Sequence, residues 1–162
     1  NKTYDLVLFS ESFQYVKVLK ALAQVTNVLR KDGYLLVCDF FRKPGTGRRP
    51  LGGGHDWQLF KDKINRFPFQ ELLNQDITAE TAPTMDVVNK FLDEVADPVR
   101  TLSARYLNSN YPSIMKIFYW YFAKRIAKIN RIYFSGSLTS EMFNRMKTYR
   151  LLLYRMVPDN KK

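Results

Sequence analysis

The chain has 162 residues, 46% of them hydrophobic and 25% charged, and a formal net charge of +11. Disorder and collagen-like structure are excluded, and there is enough apolar material for one sizeable core. No apolar run approaches about 18 residues, which excludes a spanning helix, and a single cysteine, Cys38, excludes an internal disulfide or a cysteine-based zinc site.

Asn1-Lys2-Thr3 leads straight into an apolar run, so no secretory leader is expected and an upstream segment is expected to be missing. Residues 4–9 are a continuous apolar run after one acid, Asp5, without alternation, which predicts a strand buried on both faces between helices. Over residues 14–31, Val18, Leu22, Val25 and Leu29 recur at helical spacing. Arg30 and Lys31 suit the C-terminal dipole of that helix, and Gly33 suits a left-handed stop. Residues 34–40 predict a second buried strand, with Cys38 inside it. Strand, helix, strand over so short a stretch predicts a right-handed crossover and a parallel pair.

Residues 42–55 form a glycine- and arginine-rich loop that ends in Gly52-Gly53-Gly54-His55. A short helix is predicted over 57–66 and a third strand over 69–77. A helix opens at Pro83-Thr84, with Thr84 as N-cap, and stops before Asp97-Pro98. Further helices are predicted over 99–108, 112–133 and 137–145, then a last strand over 149–157. The charge is uneven. Residues 1–100 hold 14 Lys+Arg against 13 Asp+Glu, whereas residues 101–162 hold 12 Lys+Arg against only Glu141 and Asp159. Such a field suits an anionic partner or a solubilising surface. The 112–133 helix carries Met115, Phe118, Phe122, Ile126, Ile129 and Tyr133 on one face. Its other face mixes Lys116, Lys124, Lys128 and Arg131 with Ile117 and Trp120. That pattern fits an interfacial membrane helix, but the reading preferred on the sequence is a face on which Ile117 and Trp120 pack against a neighbouring helix. No nucleic-acid motif is present, so nucleic acid is not expected as a partner.

In open parallel sheets ligands bind beyond the carboxyl ends of the strands. Here those ends are Ser10-Glu11-Ser12-Phe13 and Asp39-Phe40-Phe41. An acid and a hydroxyl there could hold a polar ligand, or simply make ordinary loop contacts. Tyr4-Asp5-Leu6-Val7-Leu8-Phe9-Ser10-Glu11, then Leu29-Arg30-Lys31-Asp32-Gly33-Tyr34-Leu35-Leu36-Val37, resembles the fourth-to-fifth-strand region of class I S-adenosylmethionine-dependent methyltransferases. Lys31-Asp32-Gly33 stands where the family ends its helix in Pro-Gly-Gly. Asp76-Ile77-Thr78 resembles the end of the family's sixth strand, and the segment Tyr149 to Pro158 its antiparallel last strand.

The resemblance implies an α/β fold: the C-terminal half of a Rossmann-like methyltransferase sheet, two parallel strands plus the last strand pair, with an inserted helical cap. Residues 1–83 would be core, 84–147 the cap, and 148–162 the last strand and tail. The family's glycine-rich turn and ribose-binding acid belong upstream of the matched region, so the segment alone is expected to be inactive. The implied cofactor of the parent enzyme is S-adenosylmethionine, with Ser10, Glu11 and Phe13 as contacts. The acceptor would be a small apolar or amphipathic molecule touched by Tyr15, Asp39, Tyr106 and Phe118. His55, the one histidine, is the candidate base or else a structural loop residue. No metal constellation is expected. A cytoplasmic location, self-association through the open first strand and peripheral membrane contact complete the expectations. The alternative is a non-catalytic binding or dimerisation module with a basic helical surface.

Overall fold

The structure, a computed structural model, describes residues 4–46, 52–136 and 138–157. They form two compact units, one built from residues 4–46, Gly53–Thr81 and 144–157, the other chiefly from Ala82–Phe143. The first unit runs β1 (Tyr4–Ser10), a 3-10 turn at Phe13–Tyr15, α1 (Val18–Val28), β2 (Leu29–Arg42), β3 (His55–Asp56), α2 (Trp57–Ile64), β4 (Phe69–Asp76) and α3 (Thr78–Thr81). The second holds α4 (Pro83–Phe91), a wide π turn at Leu92–Ala96, α5 (Asp97–Asn110), α6 (Pro112–Tyr133) and the start of α7 (Ser140–Met146). β5 (Lys147–Met156) returns to the sheet.

The sheet order is β1-β2-β5-β4, with β1 parallel to β2 and β5 antiparallel to both of its neighbours. The predicted parallel pair, antiparallel last strand and inserted helices are all present. β3, a two-residue parallel partner of β2 at Phe41 and Arg42, was not anticipated. The core lies on one face of the sheet, where Leu35, Val37, Phe41, Leu152 and Tyr154 meet Val18, Leu22 and Val25 of α1 and Phe60 and Ile64 of α2. Slipping β2 by one residue would turn Leu35, Val37 and Phe41 away from that core, at about 1.5–3 kcal/mol each.

Several expectations are corrected here. The strands are not buried on both faces: Tyr4, Leu6, Leu8 and Tyr34 are exposed on the face opposite α1 and α2. Continuous apolar runs cannot distinguish a strand covered twice from one whose second face is apolar and open. Cys38 lies on that open side and is only half-buried. The first helix spans 11 residues, shorter than 14–31, because the Gln14 amide is drawn to Asp39 and β2 already begins at Leu29. Arg30 therefore sits in a strand, paired with Asp5, rather than at a helix end. The left-handed residue is Asp32 (φ 60°), not Gly33. Gly33 is needed for a different reason: a Cβ there would stand 2.9 Å from the Arg30 carbonyl oxygen and 3.2 Å from that of Asp5.

In the second unit Thr84 is not the N-cap, since α4 starts at Pro83 with Ala82 before it. Nor does the helix stop before Asp97-Pro98. The π turn hands α4 directly to α5, so Pro98 lies within one continuous helical stretch, just past the turn at Leu92–Ala96. α7 begins at Ser140, and Ser137, expected in it, lies outside the described residues, as do residues 47–51 of the glycine-arginine loop. α5 and α6 form a hairpin joined by Arg100, which donates to Asn130 Oδ1 at 2.7 Å and stacks 4.3 Å from the Phe134 ring.

Asp76 ties β4 to β5. Its carboxylate accepts from the Thr78 amide and hydroxyl, from Thr148 Oγ1 at 3.0 Å, and pairs with Arg150 at 3.0 Å. Partial burial pushes its pKa up, but these donors and the guanidinium outweigh that and hold it below its ordinary 3.8. The stabilisation is complete above that ordinary value and is lost as pH falls through the lower, folded-state pKa. Denaturation midpoints followed from pH 6 downward should fall less steeply in Asp76→Asn than in the parent chain. Parallel profiles would show that Asp76 does not contribute this way.

Candidate functional site

The carboxyl ends of β1 and β2 lie side by side, with Ser10 opposite Cys38. After Ser10 the chain turns at Glu11, a non-glycine residue at φ 50°, whose amide donates to the Cys38 carbonyl at 2.9 Å. Left-handed backbone at a non-glycine is strained, and here it is paired with a defined contact. Glu11 Oε1 accepts a 2.6 Å hydrogen bond from the Tyr149 hydroxyl on β5. Tyr149 is buried, and burial followed by the Glu11 hydrogen bond pushes its phenol pKa far up. The phenol therefore remains a neutral donor that holds the carboxylate in place. Tyr149 was not among the sequence candidates. It is 138 residues from Glu11, and only the β2–β5 register, Phe40 opposite Tyr149, brings the two together.

Asp39 is almost fully buried. Its two oxygens accept from the Gln14 amide at 3.0 Å and the Phe40 amide at 2.8 Å. Burial raises its pKa, with the Gln14, Phe40 and Phe13 amides acting in the opposite direction and the Glu11 charge adding to the rise. Asp39 thus clamps the turn after β1 to the end of β2, and a buried side chain so engaged is not presented to an acceptor molecule. Phe13 is likewise fully buried, packed against the rings of Phe9, Phe41, His55 and Phe60. It supports the turn from beneath and offers no surface to a cofactor. Ser10, Glu11 and Tyr15 remain exposed at the rim.

His55 does not follow a loose glycine run. Gly53 and Gly54 both have φ near +74° (74° and 73°), and a Cβ on Gly54 would stand 2.9 Å from the Phe40 carbonyl oxygen and 3.0 Å from its ring. The buried Lys147 fixes this turn by donating to the Gly53 carbonyl at 2.6 Å, with its ammonium 4.9 Å from the Phe40 ring centre. His55 Nε2 lies 3.0 Å from the Phe13 carbonyl oxygen. A carbonyl only accepts, so Nε2 carries the proton and Nδ1 is left as the basic nitrogen. Tyr106 and Phe118 belong to the helical unit. Phe118 lines a groove of about 600 Å³ between α5 and α6, with Leu107, Met115, Ile126 and Ile129, whereas Tyr106 is exposed and outside that lining. Among the described residues no group of His, Cys, Asp or Glu is placed to hold a metal, and no helix is long and apolar enough to cross a membrane.

No protein-family model matches the chain, and no curated protein matches it. Solved structures do. A putative sarcosine dimethylglycine methyltransferase from Galdieria sulphuraria is 14% identical with a TM-score of 0.57, over 97% of this chain and 54% of that one. Geranyl diphosphate C-methyltransferase from Streptomyces coelicolor A3(2) is 13% identical with a TM-score of 0.54, over 94% and 47%. The [4+2]-cyclase SpnF is 17% identical with a TM-score of 0.58, over 96% and 50%. The fold is therefore that of a Rossmann-like methyltransferase core with an inserted helical region, the fold of class I S-adenosylmethionine-dependent methyltransferases. The chain spans about half the length of these relatives. A cyclase among them shows that this fold alone does not fix the reaction.

Proposed function

We propose that this chain is the acceptor-side, C-terminal half of an S-adenosylmethionine-dependent methyltransferase acting on a small apolar or amphipathic molecule. The observation that carries this reading is the rim at the ends of β1 and β2, where Glu11 is turned out by its left-handed backbone and held by Tyr149. An exposed carboxylate there fits a cationic ligand, and Ser10 adds a hydroxyl beside it. When bound, the cofactor supplies an electrophilic methyl group. The protein's part is to bind, orient and manage protons. Glu11 attracts positive charge, Tyr149 fixes its direction, and Asp39 and Phe13 keep the turn rigid. His55 Nδ1 serves as the acceptor's proton sink, while its Nε2–H anchors the ring to Phe13. Taken by itself, the helical unit has in its α5–α6 groove an apolar lining that fits a hydrocarbon body.

The segment alone lacks the glycine-rich cofactor turn that the resemblance implies, so it is proposed to be inactive. Calorimetric titration of S-adenosylmethionine into the full-length protein and into this segment tests the reading. Binding to the full-length protein, weakened about tenfold by Glu11→Gln and at least as much by Glu11→Ala, is the expected result, since hydrogen bonds to charged groups contribute about 1.5–3 kcal/mol. Absence of binding by the full-length protein would overturn the proposal. A second reading, a non-catalytic dimerisation module, is favoured by the exposed apolar residues of β1, and the same titration separates the two. A cytoplasmic location is part of the proposal.

A further inference from the structure

We propose that the outward face of α6 docks on an anionic lipid surface. The inference rests on α6 and its charge, not on the strand-end site or on methyl transfer. Residues 98–140 contain seven Lys or Arg and no Asp or Glu. Met115 is buried and Phe122 and Ile126 are half-buried, which defines the inward side of the 22-residue helix. The opposite side carries Ile117, Trp120, Tyr121, Lys124, Lys128 and Arg131 at helical spacing. Ile117, Trp120 and Tyr121 are 67%, 81% and 72% exposed, so they are not packed against a neighbouring helix. Lys116, Lys124, Lys128 and Arg131 are also exposed, and among the described residues no carboxylate pairs with them.

The chemistry of this face selects its partner. Lysine and arginine stems can lie along apolar surface while their charged heads reach phosphate, and Trp and Tyr favour the boundary between water and hydrocarbon. A helix lying flat in the headgroup layer satisfies both sets of side chains at once. A polyanion in water would neutralise the lysines but give Ile117 no reason to be exposed beside them.

Co-sedimentation of the 162-residue chain with phosphatidylcholine vesicles, with and without phosphatidylserine, tests the proposal. Binding should require phosphatidylserine. Each basic residue at such a surface contributes a factor of about five, so Lys116→Glu, Lys124→Glu and Lys128→Glu together should weaken binding about a hundredfold or more. Ile117→Ala with Trp120→Ala should weaken it about tenfold with the charge intact. All five positions are exposed, and circular dichroism checks that helix content is kept. Equal binding to neutral vesicles, or binding that survives either set, would overturn the proposal. So would equally tight binding to single-stranded RNA that is indifferent to the Ile117 and Trp120 changes, which would assign the face to charge alone.

Discussion

Phe13→Ala is expected to cost about 3–5 kcal/mol of stability, a large part of the total for a domain whose net stability is about 5–15 kcal/mol. Phe13 sits at the centre of the aromatic cluster: its ring centre is 5.1 Å from that of Phe9, 5.6 Å from Phe60 and 5.5 Å from His55. The cavity left by its removal would be walled by α2, β2 and the turn after β1. Those elements are fixed by sheet pairing and by the Asp39 clamp, so the void cannot readily collapse. Tyr15, two residues on, is exposed, and Tyr15→Ala should change stability by less than about 0.5 kcal/mol. Urea denaturation of the two variants beside the parent reads the contrast. A Phe13→Ala loss under about 1 kcal/mol would show that the turn is mobile and that its packing does not define the site. Because the turn carries Glu11, the proposed function predicts that the same substitution in the full-length protein weakens cofactor binding although Phe13 is buried.

That pair shows where sequence reasoning reached its limit. Phe13 and Tyr15 read alike as aromatic residues just past a strand end, and only the tertiary structure sends one inward and leaves the other outside. The parallel β1–α1–β2 unit was legible because its signals are local: two apolar runs and a helical repeat separated by short turns. The identity of the left-handed residue was not, because Lys31-Asp32-Gly33 offers two positions able to adopt it, and the contacts with Arg30 and Asp5 settle the matter. Asp39 could be seen at a strand end, but its work as a clamp depends on an amide 25 residues earlier. Tyr149 and Lys147 carried no local signal at all. Their roles arise from β5 lying antiparallel to β2.

The open side of β1 leads to the second large effect. Among the described residues β1 is the edge of the sheet, and its Tyr4, Leu6 and Leu8 are exposed. On its other face, Val7 and Phe9 join Val16, Ala21, Val25 and Val28 in an apolar groove of about 480 Å³. Unpaired backbone flanked by apolar side chains on both faces is a template for another strand. The 162-residue chain is therefore expected to self-associate, with sedimentation equilibrium giving a mass that rises above 19.1 kDa with concentration. Leu6→Lys with Leu8→Lys should raise the dissociation constant at least about a hundredfold, since burying each leucine contributes about 1.5–3 kcal/mol and a strand edge bearing lysines resists pairing. A mass of 19.1 kDa at every concentration would show that the edge does not pair. The longer parent protein that the proposed function requires adds a decisive comparison. If it is monomeric while the segment associates, its remaining chain covers β1, as the methyltransferase reading requires. If it dimerises and the lysine substitutions abolish the dimer, the edge is itself the interface and the dimerisation-module reading gains.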